Sequence, residues 1–134
     1  MAIIEGTGAL KTYIGEYDFA VDGGATSTIT LRQVNPSAGP IPLGAVIEMG
    51  YMDVLTAFTT GSAAQAAINS EGAGDIVAAA VVSGAPYSTT GRKSILPAGT
   101  GATAVKTTAQ RSPAITISVG TITAGKAQVV LFYR

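Results

Sequence analysis

The sequence predicts an all-β protein, an antiparallel β-sandwich or jelly-roll-like fold with at most one short helix. Three observations support this class. Apolar and polar residues alternate with a period of two in several segments, turns containing Gly or Pro separate these segments, and no long stretch has a helical period. Short strands with turns at such spacing are typical of sandwiches and jelly rolls.

The N-terminal segment, residues 1–15, is predicted to be an arm, and residues 16–134 are predicted to form the sandwich domain. Gly6, Gly8 and Gly15 interrupt any regular strand or helix, so the arm cannot bury its own apolar side chains. We therefore expect the arm to dock on a neighbouring chain and to become ordered there; the alternative is that it packs back on its own sandwich. Its candidate interface residues are Ile3, Ile4, Leu10, Tyr13 and Ile14.

Two strands are predicted in the first third of the chain. The alternation in residues 16–22 ends at an Asp-Gly-Gly turn, and residues 27–34 are rich in β-branched side chains. The segment 35–42 contains three prolines and must be a loop.

The longest predicted strand covers residues 45–60 and is apolar on both faces. We expect such a strand to be central or covered on both sides, with Gly50 as a bulge or bend. Met49 and Tyr51 share one of its faces and are further interface candidates. Glu48 and Asp53 are five residues apart, which places them on opposite faces of a regular strand and allows either to meet a partner at a subunit contact.

The second half of the chain contains one ambiguous segment. In residues 75–83 the alanine triplet favours a helix capped by Asp75, whereas the flanking valines favour a strand; the prediction is a short helix over residues 75–82. The other predicted strands are residues 63–69, 92–96, 103–108, 114–119 and 126–133, with the last two joined by a turn at residues 123–125. The predicted core comprises Ile29, Leu31, Val46, Val54, Phe58, Ile115, Ile117, Val129 and Leu131.

Composition excludes several functions. The chain has no His, no Cys and no Trp, so thiolate catalysis, a Ser-His-Asp triad and ordinary zinc sites are excluded. Eight basic and eight acidic residues balance without any basic run, so nucleic-acid binding is not expected. No apolar run is long enough to cross a bilayer, so no membrane partner is expected either. We predict a protein that is not an enzyme and has no cofactor and no metal.

Two acidic groups are candidate cation sites. Glu16, Asp18 and Asp22 share a strand parity, which is compatible with a cation site, but a solvated strand face is the preferred interpretation. Residues 71–75 resemble a calcium loop in composition only, because they lack the alternating ligands of an EF-hand; a turn followed by a helix cap is preferred.

Low charge predicts association. Charged residues make up only 12% of the chain and its mean hydropathy is +0.40, so surface charge alone does little to keep separate copies apart. We therefore expect a homo-oligomer, and an obligate component of an assembly.

The stretch from residue 41 to residue 133 resembles a family of small virion proteins of tailed bacteriophages. The matching pieces are IPLGAVI (41–47), GYMDVLTAFTT (50–60), GAGDIVAAA (72–80), VKTTAQR (105–111) and ITISVGTITAGKAQVVLFY (115–133). The ITAGK sequence with the terminal strand is the most specific of these, and the first 40 residues have no counterpart.

The resemblance implies a β-rich structural protein of the phage head, a capsid decoration or cement protein that binds and stabilises the lattice of the major capsid protein. It further implies a trimer, located on the capsid surface of the virion after synthesis in the host cytoplasm. Two alternatives remain: another virion component, such as a head-fibre base, neck or tail-tube subunit, or a carbohydrate-binding or adhesin module.

Overall fold

The computed structural model describes residues 9–95, 97 and 104–134. Its strands are β1 (Lys11–Asp18), β2 (Ser27–Thr30), β3 (Arg32–Gln33), β4 (Val46–Thr60), β5 (Gln65–Asn69), β6 (Val77–Val81), β7 (Gly91–Ile95), β8 (Val105–Lys106), β9 (Ala114–Ser118) and β10 (Ile122–Tyr133). Helical structure in the described residues is limited to one turn of α-helix, α1 (Phe19–Asp22), and one 3-10 turn (Pro36–Ala38).

The strands form two antiparallel sheets that pack face to face. Sheet A has the order β3-β1-β10-β4-β7, with β8 also paired to β4, and sheet B has the order β2-β9-β5-β6. The prediction of an all-β antiparallel sandwich is therefore confirmed.

The core lies between the inner faces of the two sheets. Of the predicted core residues, only Ile29 and Val46 are half-buried; the others are buried. The sequence analysis missed the aromatic centre, in which the Phe58 ring lies 5.6 Å from the ring of Tyr17 and 5.3 Å from that of Tyr87. Both tyrosine hydroxyls donate to backbone carbonyls, which makes burial of these polar groups acceptable. Burial, with a smaller effect of nearby carboxylates, raises the pKa of Tyr17 to about 12.

The predicted arm extends too far into the domain. Residues 11–15 belong to β1, which pairs along its whole length with β10, and Tyr13 is a buried core residue rather than an interface residue. Gly15 does not break the strand, since it pairs with Val129 of β10. A glycine is present because a Cβ at this position would lie 2.7 Å from Leu31 Cβ, a core side chain. Residues 1–8 lie outside the described residues.

The register between β4 and β10 shifts at four places, and none of them is at Gly50, the predicted position, which lies opposite Leu131 in regular pairing. Tyr133 is opposite Ile47 and Phe132 is opposite Met49, so Glu48 is an extra residue. Leu55 is likewise extra, because Ala127 is opposite Val54 and Lys126 is opposite Thr56. The bulge at Glu48 brings Ile47 to the inner face although its parity differs from that of Met52 and Val54.

The helix predicted over residues 75–82 is wrong. Val77–Val81 form β6, which pairs with β5, so the sheet hydrogen bonds override the modest helical preference of alanine. Asp75 instead closes the turn before β6, since its carboxylate accepts hydrogen bonds from the amides of Ser70, Glu71 and Gly72.

The predicted turn at residues 123–125 is also wrong, because these residues lie inside β10. Strands β9 and β10 belong to different sheets, and the chain crosses between them around Val119, which has a φ of +69°. Gly125 allows β10 to approach the core ring of Phe58, whose nearest atom would be 2.7 Å from an added Cβ.

Candidate interaction surface

Alternation in sheet A places a group of apolar side chains on its outer face, away from the core. The register aligns Ile14 on β1, Val130 on β10 and Tyr51 on β4 in one row, and Phe132 and Met49 in the next. The rings of Tyr51 and Phe132 are 6.3 Å apart between centroids. These two rows form the centre of an exposed apolar surface.

Val34 extends the same surface past β3, because its amide donates to the carbonyl of Ile14 at 2.8 Å. The apolar patch is defined here as Ile14, Val34, Met49, Tyr51, Val130 and Phe132. Val130 at its centre is only 5% exposed, whereas Val34 and Met49 are 47% and 46% exposed. The patch therefore has a covered centre and exposed apolar margins.

The edge of β1 beside the patch is capped by one side chain. The amide group of Asn35 accepts a hydrogen bond from the Ile14 amide and donates one to the Thr12 carbonyl, both at 2.9 Å. These bonds occupy backbone groups that an edge strand would otherwise offer to another chain. Contacts at this place are therefore directed to the face of the sheet rather than to its edge.

A charged row borders the patch. Glu16, Gln128, Asp53 and Arg92 are aligned across β1, β10, β4 and β7, and Arg32 on β3 is opposite Glu16. From Arg32 at one edge to Arg92 at the other, the side-chain charges along this row are positive, negative, neutral, negative and positive.

Ion pairs hold one half of this charged region. Arg32 lies 3.1 Å from Asp22 and 3.4 Å from Glu16, while Lys126 lies 3.8 Å from Glu16 and 4.0 Å from Asp18. Single pairs as exposed as these contribute little to stability, but a network of five groups fixes where the charges lie. The hydrogen bonds that Arg32 donates to the Asp22 carboxylate raise the pKa of Arg32 above its ordinary value.

The other half is arranged differently. The Arg92 guanidinium lies over the Tyr51 ring, 5.2 Å from its centroid, and does not pair with Asp53, the residue opposite it. In the described part of the chain, the Asp53 carboxylate has no ion pair and no hydrogen bond. The half-buried ring of Tyr51, an arginine and a carboxylate without a partner thus lie together at this margin of the patch.

The predicted interface residues divide into three groups. Ile14, Met49 and Tyr51 lie in the patch, and Leu10, 42% exposed, directly precedes β1. Tyr13 faces the core, as described above, and Ile3 and Ile4 lie outside the described residues. The sequence analysis missed Val34, Val130, Phe132 and Arg92. Alternation in the terminal strand indicated that Val130 and Phe132 face away from Val129 and Leu131, but it could not show that they lie beside Tyr51 and Ile14.

The outer face of sheet B has a different chemistry. Its side chains are uncharged; the Thr28 and Thr116 hydroxyls share a hydrogen bond of 3.0 Å, and the Asn69 amide donates one of 2.7 Å to the Thr116 hydroxyl. A shallow depression of about 260 Å³ on this face is lined by Ala67, Asn69, Ala73, Gly74, Ala78, Ala79, Thr116 and Ser118. This face offers shape and hydrogen-bonding groups but no charge.

Neither of the acidic groups forms a metal site. Glu16 and Asp18 face basic side chains, and among the described residues no cluster of three or more metal-ligating side chains is suitable for an ion. Glu71, in the turn after β5, instead binds Arg111 through two contacts of 2.8 and 2.9 Å and accepts two hydrogen bonds from Thr108. The contact with Arg111, followed by the bonds from Thr108, lowers the pKa of Glu71 to about 2.

The described residues form an antiparallel β-sandwich in which the outer face of sheet A carries an apolar patch beside a row of charged side chains. Among the described residues, no helix is long and apolar enough to cross a membrane.

Comparison with solved structures places this fold among phage capsid chains. The chain is similar to one in the structure of the cyanophage Pam1 capsid asymmetric unit, with a TM-score of 0.62 and 18% identity over 99% of this chain and 90% of that one. It is also similar to a chain in the acidic stable capsid structure of Helicobacter pylori bacteriophage KHP30, with a TM-score of 0.60 and 10% identity over 93% and 86% of the two chains. No protein-family model and no curated protein matches the sequence. The resemblance to phage virion proteins is confirmed at the level of the fold.

Proposed function

We propose that this chain is a structural protein of a bacteriophage virion, and specifically a decoration or cement protein that binds and stabilises the lattice of the major capsid protein. The observation that carries the proposal is a shared fold over 99% and 93% of the chain with chains in two phage capsid structures. The sandwich would lie on the capsid surface, and its role would be to cover and join neighbouring capsid subunits.

Such a function needs complementary surface and no reacting group. The apolar patch supplies side chains to bury, and the bordering charges supply orientation, which are the two requirements of a specific protein contact. Aromatic residues, Met and Arg are enriched in such contacts, and all three types occur here in Tyr51, Met49 and Arg92.

Self-association belongs to the same proposal. The low charge of the chain favours a homo-oligomer, and we propose a trimer, which would match the threefold positions of a capsid lattice. Several weak contacts to the shell would then act together, because linked contacts bind far more tightly than single ones. Sedimentation equilibrium at micromolar concentration tests this point, and a monomer would contradict it.

We also propose that the residues before β1, which include Ile3 and Ile4, help to anchor the protein to a neighbour. Deleting residues 1–8 leaves every described strand intact, so the domain should fold while its attachment to particles weakens. A truncated protein that binds as tightly as the full chain would show that these residues are not an anchor.

The decisive experiment is a copy-number measurement. Phage particles are purified, and this protein is quantified against the major capsid protein by gel densitometry, with localisation by cryo-electron microscopy. We expect a copy number comparable to that of the major capsid protein and density on the capsid surface. A few copies at one vertex would indicate a neck, tail-tube or fibre-base subunit instead. Absence from the particle together with binding to a glycan array would indicate a carbohydrate-binding module.

A further inference from the structure

We propose that the outer face of sheet A binds a chain other than this one, the major capsid protein, and that this partner places a basic side chain opposite Asp53 while its apolar side chains cover the patch. This assignment rests on the proposed function and deepens it, because it names the docking face and the chemistry of the partner.

The Asp53 carboxylate has no partner in the described part of the chain. Asp53 lies beside an apolar patch, and Arg92, its cross-strand neighbour, is held over the Tyr51 ring instead. A carboxylate covered in a contact needs a partner, since an unpaired buried charge is strongly unfavourable. A partner that covers this face must therefore supply a cation at Asp53.

A second copy of this chain does not meet this requirement when the outer face of its sheet A lies fully over the same face of the first copy. The charged row is symmetric about β10, so a two-fold axis parallel to the strands places Arg32 opposite Arg92 and Glu16 opposite Asp53. Like charges opposite each other in a contact oppose association. In this arrangement, the charged row is not complementary to itself.

Two copies whose sheet A faces overlap only at the apolar rows would form too small a contact. A contact restricted to the two apolar rows avoids the charged row, but these rows cover only about 200 Å² of sheet, at strand spacings of about 4.8 Å and rises of about 3.3 Å per residue. A stable specific contact buries about 800 Å² on each partner. The patch alone is too small to hold two copies together face to face.

The outer face of sheet B in a second copy does not meet this requirement either. None of the residues in strands β2, β5, β6 and β9 of sheet B is charged, so this face offers no cation to Asp53. Neither broad face of a second copy meets this requirement in these arrangements, so the occupant that we assign is the major capsid protein of the proposed function.

The test uses the full chain and capsids produced without it. Met49→Asp places a charge at an exposed margin of the patch, and Asp53→Lys reverses the carboxylate; both positions tolerate a polar side chain in the free protein. Thr28→Asp is the matched control, because it adds the same charge to the exposed outer face of sheet B. Circular dichroism and thermal unfolding first establish that the variants remain folded.

Binding is measured by co-sedimentation with the capsids over a range of protein concentrations. We expect Met49→Asp and Asp53→Lys to weaken binding about tenfold or more, and Thr28→Asp to bind like the unaltered chain. Asp53→Asn should weaken binding less than Asp53→Lys and should reduce its dependence on salt, because it removes the pair without adding repulsion.

A second measurement separates capsid contact from self-contact. Sedimentation equilibrium of free Met49→Asp should give the same mass as the unaltered chain. If Met49→Asp converts an oligomer into a monomer, this face is a self-contact and the assignment is wrong. If the variants bind capsids as tightly as the unaltered chain, the assignment fails while the proposed function stands. An unaltered chain that binds no capsid overturns both.

Discussion

The two sheets share one core but have different outer faces. Every charged residue within the described strands belongs to sheet A, whose outer face combines an apolar patch with a charged row. The outer face of sheet B carries uncharged side chains, mainly Thr, Ser, Asn and Ala, around a shallow depression. Since both inner faces are apolar, core packing does not account for this asymmetry. The buried inner faces hold the fold together, and the two different outer faces are the surfaces that a partner could contact.

The first prediction tests this difference directly and has the largest expected effect. Val130→Asp should destabilise the protein by roughly 3–5 kcal/mol, because Val130 is 5% exposed and the new carboxylate would be buried without a partner. Thr28→Asp, on the exposed outer face of sheet B, should change stability by less than about 0.5 kcal/mol. Urea unfolding measures both. Equal effects would mean that the two outer faces do not differ in burial.

The second prediction concerns what the sheets have in common. Ile117 on sheet B and Leu131 on sheet A are both buried on the inner faces, at 1% and 0% exposure. Truncation of either to Ala should cost about 2–5 kcal/mol, since each removes several methylene groups from a packed core. The free energy of unfolding in urea provides the measurement. A loss below about 0.5 kcal/mol at one site would show that this sheet does not contribute equally.

The third prediction tests the irregularity of sheet A. Gly125→Ala should destabilise by about 1–3 kcal/mol, because the added Cβ would lie 2.7 Å from the Phe58 ring and the residue has a φ of +152°. Gly61→Ala is the control, since nothing lies within 4 Å of the position that its added methyl group would occupy. Thermal unfolding of both variants provides the comparison, and an unchanged midpoint for Gly125→Ala would contradict the close approach.

The smallest effect is expected at a contact between the two sheets' loops. Glu71 follows β5 of sheet B and binds Arg111 and Thr108, which follow β8 of sheet A. Its pKa is lowered from 4.5 to about 2, so the folded state favours the carboxylate. The stabilisation is present above pH 4.5 and is lost as the pH falls towards 2.

Unfolding free energies of the unaltered chain and of Glu71→Gln, measured between pH 6 and pH 2, test this prediction. The variant should be less stable near neutral pH, and the difference should shrink through the acid range as the Glu71 carboxylate takes up a proton. A difference that stays constant with pH would show that the carboxylate charge is not responsible.

Several strands were predictable because their signals are local. β-Branched alternation in β9 and the long apolar run of β4 marked strands at nearly the observed bounds. The single strand predicted over residues 27–34 is wrong, because the chain passes there from β2 in sheet B to β3 in sheet A. The alanine-rich β6 was missed because its pairing with β5 decides its conformation, and alanine itself favours a helix. Tyr13 was misplaced because glycines near it suggested a broken segment, whereas Gly15 only provides space for Leu31.

The candidate surface was predictable only in part for a related reason. Ile14, Met49 and Tyr51 were identified by their apolar character, but Val34, Val130 and Phe132 join them only through strand pairing across sheet A. The bulge at Glu48 also changes which β4 residues face outward, and no sequence period reports a bulge in advance. The position of Arg92 over Tyr51, which leaves Asp53 without a partner, is visible only once β4 and β7 are paired.

The amino-acid sequence by itself determined the all-β class, the absence of His and Cys chemistry, and seven of the buried core residues, because period-two alternation and composition are properties of short segments. Tertiary structure decided which strands are neighbours, where β4 bulges, and which of the two sheets gathers the charges beside an apolar patch. These features depend on contacts between residues far apart in the chain, such as Val34 with Ile14 and Met49 with Phe132, and such contacts are fixed only when the whole sandwich closes.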